Sequence, residues 1–134
     1  MNAIAENVRR PLILLAEDEA IIAIELAESL IDAGFQVAGP FATCAEAEEW
    51  LKSGEPDAAI LDNLLKDGLC HALAAELSSR DVPLIVFSGQ DAPDGSSADW
   101  KATWVTKPVA TPILIELLKP LIPPQGRKPW SKSS

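Results

Sequence analysis

The chain has 134 residues, 48% hydrophobic and 23% charged, which is the size and balance of one soluble globular domain with room for a real core. Eleven Lys and Arg against 20 Asp and Glu leave a formal charge of −9, which excludes the basic stripe of a nucleic-acid surface and permits an acidic pocket that holds a cation. No apolar stretch approaches the roughly 20 residues that span a bilayer, and the N-terminal apolar run passes at once into acids with no small-residue cleavage site, so neither a membrane span nor a signal peptide is expected.

Residues 1–11 read as an N-terminal extension and Leu12–Ala16 (LILLA) as a first strand. Ala20 to Ala33 follows with helical periodicity: Ile22, Leu26 and Leu30 stand four residues apart, with Ile21, Ile24 and Ile31 beside them as one apolar face. Gly34 stops that helix. Gln36–Pro40 is a shorter second strand. Thr43 caps a helix over Cys44–Lys52, with Glu46 placed for a capping box and Gly54 at the end. Ala58–Asp62 (AAILD) is a third strand, Leu69–Ser79 a helix, and Val82–Ser88 (VPLIVFS) a fourth strand covered on both faces. The stretch GQDAPDGSSADWKA leaves room for a fourth helix only if it is short or irregular. TWVTKP is a fifth strand ending at Pro108, and Thr111-Pro112 opens a last helix through Leu121 with Pro in the first helical position. Residues 123–134 read as a flexible basic tail. Cys44 and Cys70 lack CxxC spacing and read as two separate buried thiols of a reducing, cytoplasmic setting. His71 is the only histidine and sits in a helical pattern as a surface or capping residue, so neither a His-based metal cluster nor a Ser-His-Asp triad is expected.

Strand and helix alternating five times, with fully apolar central strands, predict an α/β fold: a doubly wound parallel sheet with helices on both faces, one domain over residues 12–122. Such sheets bind ligands outside the carboxyl ends of their strands. Strand one ends in Glu17-Asp18-Glu19, strand three in Asp62, strand four in Ser88-Gly89 and strand five in Thr106-Lys107-Pro108. Taken singly, each has a bland explanation: acids at a helix N-terminus, an Asp in a turn, a turn serine, a surface lysine. Independent accidents rarely fill every active end of one sheet. Two carboxylates about 4 Å apart repel by roughly 4 kcal/mol at an effective dielectric near 20, and a hard divalent ion with oxygen ligands relieves that, Mg²⁺ foremost. Lys107 adds a second positive charge, Ser88 a hydroxyl and Gly89 an approachable backbone N–H. The set suits a phosphoryl group joined to Asp62 as nucleophile.

The motifs EDE, ILD, FSG and TKP, in this order at four strand ends, resemble the receiver domain of two-component response regulators, over Leu12 to about Ile122. The resemblance implies a five-stranded flavodoxin-like sheet of order 2-1-3-4-5. It implies Asp62 as phosphoacceptor, and Mg²⁺ (or Mn²⁺) held by Asp18 directly, by Glu17 through water, by Asp62 and by the backbone carbonyl of Leu64. Ser88 matches the switch hydroxyl, Lys107 the site lysine, and Trp104 the aromatic rotamer switch, where Tyr or Phe is usual. DNLLKDG departs from the receiver pattern by lacking a Pro and being shorter, which implies a tighter loop beside the phosphate. VFSG is similar to a receiver subclass with Phe-Ala-Thr-Gly at this point, which works with HWE-type sensor kinases. The partners implied are a sensor histidine kinase or a histidine phosphotransfer protein, and a second copy through the last strand and helix. Trp100 and Trp104 belong either to the core or to an apolar patch at that face.

With no output segment after Ile122, the expectation is a single-domain response regulator, switched on Asp62, that binds a partner or serves as a phosphate sink. Its turnover would be limited to accepting phosphate and slowly losing it. Two alternatives stand beside it. One is a receiver-shaped interaction scaffold not switched by phosphate. The other is a metal-dependent phosphohydrolase, disfavoured because Asp-x-Asp is missing after the first strand.

Overall fold

A computed structural model describes residues 10–88 and 102–122. Gly89, Trp100, the fourth helix expected between the fourth and fifth strands, most of the N-terminal extension and the C-terminal tail lie outside the described residues.

In chain order the elements are β1 (Leu12–Ala16), α1 (Ala20–Asp32), β2 (Gln36–Phe41), α2 (Cys44–Leu51), β3 (Ala58–Asp62), a hairpin of β4 (Leu64–Leu65) and β5 (Gly68–Leu69), α3 (His71–Ser79), β6 (Leu84–Ser88), β7 (Ala102–Thr106) and α4 (Thr111–Leu118), which runs into a 3-10 turn over Lys119–Leu121. The main sheet has five parallel strands in the order β2-β1-β3-β6-β7. That is the predicted 2-1-3-4-5 order. β3 and β6 are buried at every position, as strands covered on both faces must be.

Side-chain alternation along the strands divides the core in two. Ile13, Leu15, Ile60, Ile85 and Phe87 pack on Leu26 and Leu30 of α1 and on Leu114 and Leu118 of α4. Leu14, Ala16, Ala59, Leu61, Leu84 and Val86 turn the other way, onto Ala47 and Leu51 of α2 and Leu73 and Leu77 of α3.

Several details correct the sequence reading. On α1, Ala23, Leu26 and Leu30 are buried, but Ile21, Ile24 and Ile31 are 81%, 55% and 52% exposed. Each residue turns a helix by about 100°, so these isoleucines lie roughly 100° or more around the axis from Leu30 and miss the sheet. Counting apolar residues overstated the buried face. Gly34 does end the helix, at φ +102°. β2 continues one residue further, to Phe41, past an irregularity in its pairing with β1 between Leu14 and Ala16.

Thr43 caps α2 as expected: its Oγ1 accepts the Glu46 N–H at 3.0 Å, a contact typically worth about 1 kcal/mol. The reciprocal bond differs from a capping box, because Glu46 Oε1 accepts from Ala42 N, one residue before the cap. Gly54 lies beyond the helix end, and its smallness matters for another reason: a Cβ there would stand 2.5 Å from the Trp50 ring. The predicted helix from Leu69 starts two residues later, at His71, because the hairpin occupies the preceding residues. His71 is exposed. In α4, Ala110 is the N-cap, so Pro112 is the second helical residue and not the first.

The largest correction concerns sulfur. Cys44 and Cys70 form a disulfide, with Cα atoms 5.5 Å apart and a sequence separation of 26. The two thiols read from the sequence are one bridge, and the inference of a reducing compartment loses its premise. Among the described residues, no helix is long and apolar enough to cross a membrane.

Candidate functional site

The strand register places the acidic and basic ends side by side. Ala16 pairs with Leu61, Asp62 with Phe87, and Ser88 with Thr106, so Glu17, Asp62, Ser88 and Lys107 emerge along one edge of the sheet. One carboxylate oxygen from each of Glu17, Asp18 and Asp62 lies within 4.8 Å of the others. Glu17 and Asp62 are buried and Asp18 is half-buried.

Backbone bonds hold these groups in place. Glu17 N donates to the Phe41 carbonyl at 2.9 Å, and Glu17 Oε2 accepts from Glu19 N at 2.8 Å. Asn63 N donates to the Phe87 carbonyl at 3.0 Å, carrying the β3–β6 ladder one residue past Asp62, and Leu64 N donates to Asp62 Oδ1 at 3.2 Å. Lys107 N donates to the Ser88 carbonyl at 2.6 Å, and the Lys107–Pro108 peptide is cis. The Lys107 side chain passes over the Phe87 ring, with Nζ 5.0 Å from the centroid, and donates to Asp62 Oδ2 at 3.0 Å. The same ammonium stands 4.0 Å from Oε1 of Glu17 and of Glu19.

The charges are unequally balanced. Burial pushes the Glu17 carboxyl from an ordinary value of 4.5 up to about 7; the Glu19 N–H and the Lys107 charge oppose this, and the Asp62 and Asp18 charges add to it. Burial alone would lower the Lys107 ammonium, but the hydrogen bond to Asp62 and the charges of Asp62, Glu17 and Glu19 outweigh it and hold it above its ordinary value. One lysine among so many carboxylates leaves a surplus of negative charge. Glu17 Oε1 accepts no hydrogen bond among the described residues although it is buried. A buried oxygen without a donor, beside two more carboxylates, fits a hard divalent cation with oxygen ligands.

A pH dependence follows from Glu17. Its folded-state value lies above its unfolded one, so from pH about 4.5 to about 7 the unfolded chain gives up this proton first, and the group's contribution turns increasingly unfavourable. Above pH 7 the cost reaches the order of 2–3 kcal/mol. Urea midpoints in chelator at pH 5 and pH 8 check this. Glu17→Gln is expected to gain on wild type at pH 8 and lose that advantage at pH 5.

No family model matches the chain. Among curated proteins it is 30% identical over 112 residues to the transcriptional regulatory protein PdtaR of Mycobacterium tuberculosis, across 80% of this chain and 54% of that protein. The chain thus spans about half the length of the curated relatives it matches. Among solved structures, the response regulator receiver protein of Sinorhizobium medicae superposes with a TM-score of 0.77 at 26% identity, over 90% of this chain and all (100%) of that one. The response regulator TrrA of Thermotoga maritima, solved in complex with Mg²⁺–BeF, does so with a TM-score of 0.72 at 26% identity, over 84% of this chain and 99% of that one.

The chain is a response regulator receiver domain.

The receiver gathers most of the residues singled out in the sequence. Glu17, Asp18, Asp62 and Lys107 form one cluster, and Ser88 ends the neighbouring strand, buried, with its carbonyl holding the Lys107 backbone. Leu64 touches Asp62 through its N–H. Trp104 pairs with Val86 in the sheet, three residues before Lys107; it is half-buried and packs against the α2–α3 side of the core. Two polar residues had been given no individual role. Glu19, the last acid of the EDE run, reaches Lys107. Asp67 ties the hairpin to α2 by accepting from Cys44 N at 2.8 Å and Ala45 N at 3.1 Å, and these bonds, the Cys44 one first, hold its carboxyl below its ordinary value. An Asp-Gly pair is a turn signal, but nothing local says which helix the turn will meet.

Proposed function

We propose that this receiver is a phosphorylation switch whose acceptor is Asp62. One observation carries the reading: three carboxylates from two strand ends converge within 4.8 Å, with Lys107 3.0 Å from one of them and a buried Glu17 oxygen that accepts no hydrogen bond among the described residues. Glu17, Asp18, Asp62 and the backbone carbonyl of Leu64 would hold Mg²⁺ (or Mn²⁺), which supplies the positive charge that an incoming phosphoryl group needs. The phosphodonor is a sensor histidine kinase or a histidine phosphotransfer protein. An Asp62 carboxylate oxygen attacks phosphorus, the O–P bond forms, the N–P bond to the donor's imidazole breaks, and its electron pair leaves on that nitrogen. Lys107, freed from its present bond to Asp62, meets one of the new oxygens, and the Ser88 hydroxyl meets another.

The output runs through β7 and α4. Trp104 stands on that strand as the aromatic switch residue, half-buried and so with room to respond. Exposed Ile113 and Leu117 on α4 support a partner or a second copy on that face. An apolar groove of about 180 Å³, lined by Ile22, Leu26, Pro108 and Leu114 among others, opens beside Lys107 and gives a donor protein a place to lean. The HWE class of kinase rests on the VFSG resemblance alone.

The test is a titration with Mg²⁺ and beryllofluoride followed by tryptophan fluorescence. A saturable response that needs both components supports the switch. A flat trace, with the fold intact by circular dichroism, leaves the scaffold reading in its place.

A further inference from the structure

The Cys44–Cys70 disulfide bears on the loop that follows the acceptor. Asp62 bonds to Leu64, Leu64 pairs with Leu69 across the β4–β5 hairpin, and Cys70 follows immediately. The bridge then joins Cys70 to the first residue of α2. Asp67, at the hairpin turn, grips the Cys44 and Ala45 amides from the same side. A covalent bond and a charged cap thus fasten the hairpin to α2, and the fastened segment carries the Leu64 backbone.

We infer that Cys44–Cys70 is a reversible redox clasp that orders the acceptor loop when closed and loosens it when opened by a dithiol reductant. This rests on the reading of Asp62 as acceptor only for its consequence, not for the clasp itself.

Both sulfurs stand at helix N-termini, a setting that stabilises thiolates and makes a bridge easier to reduce. The two ends differ. The Asp67 carboxylate already occupies the Cys44 and Ala45 amides at the start of α2, and its negative charge there disfavours a second anion on Cys44. Cys70 is therefore the better-stabilised leaving thiolate. Both cysteines are buried.

In the opening step, one thiolate of the dithiol attacks Cys44 Sγ. The S–S bond breaks, its electron pair leaves on Cys70 Sγ, and that sulfur takes a proton. The second thiolate of the reductant then attacks its own sulfur in the mixed disulfide. Cys44 is released as a thiol and the reductant leaves as a cyclic disulfide. Two electrons and two protons enter the protein, and an oxidised dithiol reverses the step.

The experiment compares the full chain, air-oxidised and dithiothreitol-reduced, with thiols counted by alkylation under native conditions. Amide hydrogen exchange is read over residues 63–70 against α1 as internal reference, without metal. The Mg²⁺–beryllofluoride titration is then repeated on both forms. Reduction is expected to speed exchange in 63–70 more than in α1 and to weaken beryllofluoride binding by roughly three- to tenfold. Cys44→Ser/Cys70→Ser should match the reduced form and ignore dithiothreitol, and the wild-type comparison stands without it should the variant fold poorly. Equal exchange ratios in the two wild-type forms overturn the clasp. Faster loop exchange with equal beryllofluoride affinity overturns its link to the acceptor. If neither form binds beryllofluoride, the acceptor reading fails and takes that link with it, while the exchange comparison still decides the clasp.

Discussion

Asp62→Asn is expected to abolish labelling by acetyl phosphate and to leave the fold standing. The amide is nearly isosteric, so the Leu64 N–H keeps an oxygen to donate to, and the core on either side of β3 is unchanged. What disappears is the carboxylate proposed as nucleophile and the charge that fixes Lys107 at 3.0 Å. The lysine is not left isolated, since Glu17 and Glu19 both stand 4.0 Å from its ammonium. The Asp62 charge is also one of the causes that raise Glu17, so its loss lets that carboxyl fall back toward its ordinary value. These effects oppose one another, and stability is expected to move by no more than about 1 kcal/mol. Intact mass after incubation with acetyl phosphate and Mg²⁺ reads the label, and a urea melt reads the fold. A phosphorylated Asp62→Asn protein would place the acceptor elsewhere and end the assignment.

Opening the Cys44–Cys70 bridge is expected to cost about 3 kcal/mol of stability. The estimate comes from the chain that the bond closes, 26 residues in sequence number, and from the freedom an unfolded chain regains when so long a loop is released. For a domain of this size that is a large share of the total. It should lower the urea midpoint by more than about 1 M. Parallel melts with and without reductant, at fixed pH and in chelator, measure it. Coincident midpoints would mean that the bond contributes nothing to holding the hairpin on α2.

The sequence disclosed the sheet and the edge where its polar residues collect, because both depend on patterns read within a few residues. Apolar runs of five ending in Asp62 or Ser88 identify buried strands and what they present at their ends. The order of strands came from the resemblance, and the register bears it out. What escaped was set by the rotation of elements and by distant pairings. Ile21, Ile24 and Ile31 are apolar but point away from the sheet, because α1 buries a narrower stripe than its composition allows for. The hairpin after Asp62 was too short to register as strand, which moved the start of α3 to His71. The bridge depends on two helix N-termini meeting across the fold, and no spacing rule within the chain encodes that. Glu19 and Asp67 escaped for the same reason, since each finds its partner far along the chain.

The parallel arrangement of the five strands has a kinetic corollary. Every neighbouring pair in the sheet is parallel, so no two adjacent strands can zip together from a tight turn. Residues at positions 17, 62 and 107 meet only after long loops have closed, which makes for slow, cooperative assembly with no local precursor of the charged cluster. The carboxylates arrive with β1 and β3 in the middle of the sheet, and the lysine arrives with the outermost strand. Docking of β7 is therefore the event that relieves the crowded acids, and nascent chains that stall before it carry an uncompensated cluster of negative charge.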